Sequence, residues 1–101
     1  MFGAMKLERE DILVRLRAGL PILKRQFPLH GLSLFGSVVR GQADAESDID
    51  VIADVNPSIG LDFVTLADKL EELTGHNIDL VSRRAIKPLL WKPIERELID
   101  V

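Results

Sequence analysis

Residues Asp48 to Val55 (DIDVIADV) set two carboxylates at the head of a run rich in β-branched side chains. Few architectures can accommodate such a segment. Ile49, Val51, Ile52 and Val55 favour an extended backbone, and Asn56-Pro57 stops it. Residues two apart on a strand project from the same face, so Asp48 and Asp50 stand side by side. Like charges at that distance repel, and one group is driven to keep its proton unless a cation lies between them. The apolar flanks mount this pair on a buried, rigid element, which the rest of the chain has to cover.

The remaining periodicities supply that cover. Ile12, Leu13 and Leu16 fall at helical spacing within Glu8–Ala18. Gly19 stands where a helix cap belongs and Pro21 where a new helix starts, which predicts two helices, Glu8–Ala18 and Leu20–Phe27. Gly31–Phe35 (GLSLF) reads as a short strand ending abruptly at Gly36-Ser37, with a helical turn over Val38–Gly41 and a polar loop over Gln42–Ser47. Leu61–Thr74 is predicted as an amphipathic helix using Leu61, Val64, Leu66, Ala67, Leu70 and Leu73, with Gly75 as its cap. Asn77–Ser82 (NIDLVS) is a third strand, and Lys87–Ile99 a closing helix that Pro93 kinks or divides. Together these predict an α/β fold: a small mixed sheet of three or four strands packed against helices, in one domain spanning 1–101.

Composition narrows the chemistry. With no cysteine among 101 residues, disulfides, thiol nucleophiles and zinc-thiolate sites are all excluded. A net charge of −3 disfavours duplex nucleic acid, whose binders usually carry a basic excess, but it tolerates a nucleotide held through metal ions. Residues Met1–Glu10 carry charge by the sixth position and lack the apolar run of an export signal, and no segment approaches the roughly 20 apolar residues of a membrane helix. A cytoplasmic protein is expected.

Gly36-Ser37 is the second chemical feature. A strand that breaks at glycine into a helical turn presents free amide groups, which with the Ser37 hydroxyl can hold phosphate oxygens. The same pair also serves as an ordinary strand-to-helix turn with Ser37 as cap, just as acidic pairs at strand starts also serve as turn caps. The two features together say more. A phosphate cradle followed closely by paired carboxylates is what metal-assisted phosphoryl chemistry requires, with carboxylates holding Mg²⁺ and the ions bridging the triphosphate. Asp79, inside the apolar pattern of NIDLVS, is the candidate third acid, to complete the cage and accept the nucleophile's proton; the alternative is an edge-strand acid facing solvent.

The string Gly36-Ser37-Val38-Val39-Arg40-Gly41, followed by Ser47-Asp48-Ile49-Asp50, resembles the signature of the DNA polymerase beta-like nucleotidyltransferase superfamily. With its short length and Arg40-Gly41 pair, the chain looks most like the minimal nucleotidyltransferases, the small partners of HEPN-domain proteins in toxin–antitoxin pairs. The likeness covers nearly the whole chain. It implies that Gly36 and Ser37 contact the β- and γ-phosphates of ATP, that Asp48 and Asp50 bind two Mg²⁺ with Asp79 completing the metal site, and that Asp79 acts at the attacking hydroxyl. It further implies transfer of AMP to a tyrosine of a cognate HEPN ribonuclease toxin, silencing it, so that the chain acts as antitoxin. The competing expectation is a binding module that neutralises its partner by occlusion.

Arg40, just past the cradle, suits phosphate, the partner, or pairing with Asp44 or Glu46. His30 and His76 read as turn or surface positions, and Asp54 as a strand-end acid. Trp91 with Leu89, Leu90 and Ile94 suits a core cluster or an interface. Arg83 and Arg84 suit triphosphate, an acidic partner or solvent. Larger relatives hold the acceptor with an extra domain, so here a partner protein is expected to supply it.

Overall fold

The computed structural model describes residues 8–101. Most of the chain start read as lacking an export signal therefore lies outside the described residues. Four strands form one sheet: β1 (Leu29–Phe35), β2 (Ile49–Val55), β3 (Ile78–Ser82) and β4 (Ile99–Asp100), in the spatial order β3-β2-β1-β4. β2 runs parallel to β3 and antiparallel to β1, and β4 pairs antiparallel with β1. The parallel β2–β3 pair needs a crossover, which is supplied by α2 (Asp62–Thr74).

Alternation divides the sheet into two faces. Leu32 and Leu34 of β1 and Val51, Ala53 and Val55 of β2 are buried with Leu16 of α1 (Arg9–Gln26) and Leu66 and Leu70 of α2 in one core. The opposite face carries Ser33 and Phe35 of β1 and Asp50, Ile52 and Asp54 of β2. Among the described residues no helix is long and apolar enough to cross a membrane.

Three elements depart from the sequence reading, each for a tertiary reason. The two expected N-terminal helices are a single helix, α1, running through Pro21. Gly19 is not a cap: it is buried, and a Cβ on it would lie 2.5 Å from Leu73 Cδ1, so its lack of a side chain lets α1 and α2 approach. Pro21 deletes one backbone donor, but it lies exposed, where water can satisfy the freed carbonyl. On α2, Leu61 and Val64 were expected on the apolar stripe, yet are 90% and 62% exposed; the helix begins only at Asp62, so Leu61 lies before its first turn. The closing helix is short. α3 (Pro88–Glu95) gives way to a turn and then β4, because Ile99 and Val101 pack on the core and the Val101 amide donates to the Leu32 carbonyl at 2.9 Å.

The other elements are those expected, although β1 begins at Leu29, two residues before the expected Gly31. Gly75 takes the left-handed conformation (φ 72°) at the end of α2 and its amide closes onto the Glu71 carbonyl at 2.8 Å. The helical turn after β1 begins two residues earlier than read, as a 3₁₀ turn over Gly36–Val38. The following loop is polar but not loose: Ala43 is wholly buried, and the Asp44 carboxylate accepts from the Glu46 amide (2.9 Å) and the Ser47 hydroxyl (3.2 Å). That brace delivers the chain to Asp48.

Candidate active site

Strand register assembles the site. Phe35, the last residue of β1, lies opposite Asp50, and Asp50 lies opposite Asp79 on parallel β3. Residues in register on adjacent strands share a face, so these two carboxylates stand on the open face at the end where β1 breaks. Asp48, two residues before Asp50 and exposed at the entry to β2, shares its parity. The sheet thus brings Asp48, Asp50 and Asp79 to one corner.

Gly36 packs against that corner. Its φ of 76° lies in the left-handed region, and a Cβ there would sit 3.1 Å from Asp50 Cγ and closer still to Asp50 Oδ2. Only glycine leaves room for the turn and the carboxylate together. The Gly36 turn and the Asp50 carboxylate are therefore in direct contact. Ser37 follows, half-buried, with its carbonyl accepting from the Gln42 amide at 2.9 Å.

The electrostatics follow from the crowding. The Asp50 carboxyl is raised above its ordinary pKa of 3.8, first by burial, then by the charges of Asp79 and Asp48, and by a hydrogen bond with Asp79; Arg40 pulls partly the other way. Among the described residues no three acids or histidines draw together around one metal-sized point. The donor set nonetheless suits a hard divalent cation: it is all carboxylate oxygen, and the repulsion that raises Asp50 is what such a cation relieves. A carboxyl whose pKa rises on folding stabilises the fold while protonated. That contribution is present below its unfolded pKa and lost as pH climbs through the raised folded value. In chelator-treated buffer near neutral pH, Asp50→Asn is therefore expected to raise the thermal unfolding midpoint. The difference should shrink as the buffer is taken below the ordinary carboxylate range. A lower midpoint for the variant at neutral pH would contradict the crowding argument.

Arg40 does not pair with Asp44 or Glu46. Its Nη1 donates to both carboxylate oxygens of Glu97 at 3.0 Å, and its Nε to Gln42 Oε1 at 3.0 Å. Glu97 also accepts from the Gly36 amide at 3.2 Å. The sequence reading missed Glu97, which sits in the turn after α3, far along the chain from the cradle. Its only trace in the sequence is an acid just before the apolar Leu98-Ile99 pair.

The open face continues away from the acids. Ser33, Ile52, Asp54, Arg83, Trp91 and Asp100 border a cavity of about 420 Å³. Arg83 lies over the Trp91 ring, 3.4 Å from its centroid, so it is not a solvated loop residue. Trp91 is half-buried, whereas Leu89 and Leu90 are 91% and 58% exposed, which removes the core-cluster reading for those two leucines. His30 is exposed on β1 rather than in a turn, and His76 lies in the α2–β3 turn. A larger cavity of about 610 Å³ is bordered by Glu46, Asp68, Glu71 and Glu72. Four acids there, of which Glu72 alone has a cationic neighbour (Lys69 at 3.8 Å) among the described residues, repel a triphosphate, so volume does not identify the site.

Comparison with known proteins agrees with the geometry. The family model for the nucleotidyltransferase domain matches residues 16–101. The protein adenylyltransferase MntA of Thermococcus cleftensis is 36% identical over 97 residues, covering 94% of this chain and 97% of that one. A solved structure of a candidate minimal nucleotidyltransferase superposes with a TM-score of 0.77 at 33% identity, covering 94% and 97% of the two chains. A toxin–antitoxin structure with AMP-PNP superposes at 0.64 with 25% identity, over 93% of this chain and 72% of the other. The chain belongs to the nucleotidyltransferase family and, within it, to the MntA-like minimal nucleotidyltransferases, a group of protein adenylyltransferases.

Proposed function

We propose that this chain, acting as a single minimal domain, transfers AMP from ATP to a hydroxyl of a partner protein, a tyrosine of a cognate HEPN toxin, and so acts as antitoxin. The observation that carries the reading is the register of Asp50 and Asp79 on neighbouring parallel strands, with Gly36 packed on the Asp50 carboxylate. Asp48, Asp50 and Asp79 would hold two Mg²⁺, which would offset the triphosphate charge and the charge developing on the departing pyrophosphate.

The chain's own groups do the rest. The Gly36 amide and the Ser37 hydroxyl hold the β- and γ-phosphates and fix the α-phosphorus above the acids. Asp79, exposed at the rim of the sheet, accepts the proton of the attacking hydroxyl. The hydroxyl oxygen bonds to the α-phosphorus as the bond to the bridging oxygen breaks, and pyrophosphate leaves. The open face beyond Asp50 stays accessible to an acceptor side chain from another protein.

The test is transfer of label from α-³²P-ATP to the toxin encoded beside this chain, with and without Mg²⁺. The expected result is Mg²⁺-dependent, hydroxylamine-stable label on tyrosine, accompanied by loss of toxin activity. Toxin neutralised with no label attached would instead support occlusion and overturn the proposal.

A further inference from the structure

Glu97 occupies an unusual place for an acid. Its carboxylate lies against the amide of Gly36 and the guanidinium of Arg40, on the side of the site that already carries Asp48, Asp50 and Asp79. These two donors are the ones an incoming phosphate oxygen meets at this turn. A carboxylate and a phosphate oxygen ask for the same partners, a backbone N–H and a planar guanidinium fork. They cannot share them without bringing like charges into contact.

We propose that the Glu97 carboxylate competes with the nucleotide triphosphate for the Gly36 amide and the Arg40 guanidinium, so that nucleotide entry exchanges the Arg40–Glu97 pair for an Arg40–phosphate contact. The inference rests on the phosphate role proposed for Gly36. The setting permits the exchange. Glu97 lies in the turn between α3 and β4, outside the sheet ladder, and its side chain is 28% exposed, so it has a path to solvent. Arg40 is 48% exposed and anchored separately, through Nε to Gln42 Oε1 at 3.0 Å. Loss of Glu97 therefore leaves its fork facing the turn.

The competition has a specific signature: it acts on phosphates and not on the base. Calorimetric titrations of the wild-type chain, Glu97→Gln and Glu97→Ala would use Mg·ATP, Mg·tripolyphosphate and adenosine. Both variants are expected to bind Mg·ATP and Mg·tripolyphosphate about twofold to fivefold more tightly than wild type, the scale of a partly exposed ion pair. Adenosine affinity should not change, and the gain should shrink in an Arg40→Ala background, where only the Gly36 amide is left to compete for. Glu97→Gln keeps the side-chain shape and can still accept from the Gly36 amide through its amide oxygen, while it loses the charge and the second contact to Arg40, so it reports on charge even if the alanine variant is unstable. Variants that bind Mg·tripolyphosphate no more tightly than wild type would overturn the proposal and make Glu97 a strut for the C-terminal turn. If wild type binds Mg·ATP in a manner abolished by Asp50→Asn, that result would sink the competition alone. If wild type takes up no Mg·ATP or Mg·tripolyphosphate, the phosphate role of Gly36 falls too.

Discussion

Asp50→Asn is expected to reduce AMP transfer on the order of 10³-fold, with Asp48→Asn falling in the same range, when single-turnover labelling of the partner is followed under saturating Mg²⁺. The substitution keeps the shape of the side chain and removes its charge. An amide oxygen is a far weaker ligand for a hard divalent cation than a carboxylate, and mutational loss of one preorganised electrostatic contact costs roughly 10²–10³ in rate. On the proposed reading Asp50 would help order two ions, so its loss belongs at the top of that range or above it. The interpretation is clean because Asp50 is not holding the fold together: burial and its acidic neighbours raise its pKa, so neutralising it relieves strain. Loss of activity with unimpaired stability separates a functional carboxylate from a structural one. Activity within tenfold of wild type in both variants would mean that these acids are not the ligands. Toxin neutralisation by both variants at wild-type potency would mean that transfer is not how the partner is silenced.

The geometry of the corner proposed for this chemistry was readable in the sequence because it is built from local signals. The β-branched run after Asp48 specifies a strand, parity fixes Asp48 and Asp50 on one face, and Gly36-Ser37 ends the preceding strand. Asp79 was legible only as an acid within an apolar strand, and its register with Asp50 depends on the α2 crossover, which sequence spacing does not fix. Non-local contacts account for what was misread. Gly19 carries the local marks of a cap, and only the proximity of Leu73 on α2 shows it to be a helix-packing glycine inside α1. β4 comprises two residues, too few for any periodicity, and exists because β1 offers a free edge. Glu97 reaches Arg40 across 57 positions, and no spacing rule connects them.

Gly36→Ala should be the most damaging change that removes no functional group. Two costs add at this position. An L-residue at φ 76° pays about 1–2 kcal/mol for the left-handed conformation. The new methyl also occupies the space of the Asp50 carboxylate, so either the turn or that side chain has to move. Displacement of a catalytic group by about 1 Å can cost on the order of 10²-fold in rate, so transfer should fall by at least that factor. Gly41 provides the control. It has nearly the same φ, 71°, but a Cβ there meets nothing within 4 Å. Gly41→Ala therefore carries the conformational cost alone. Urea unfolding should show both variants destabilised, Gly36→Ala the more so, while only Gly36→Ala loses transfer activity. If the two variants lose activity equally, backbone strain in the turn is sufficient to explain the effect. The direct packing of cradle on carboxylate would then not be what the chemistry depends on.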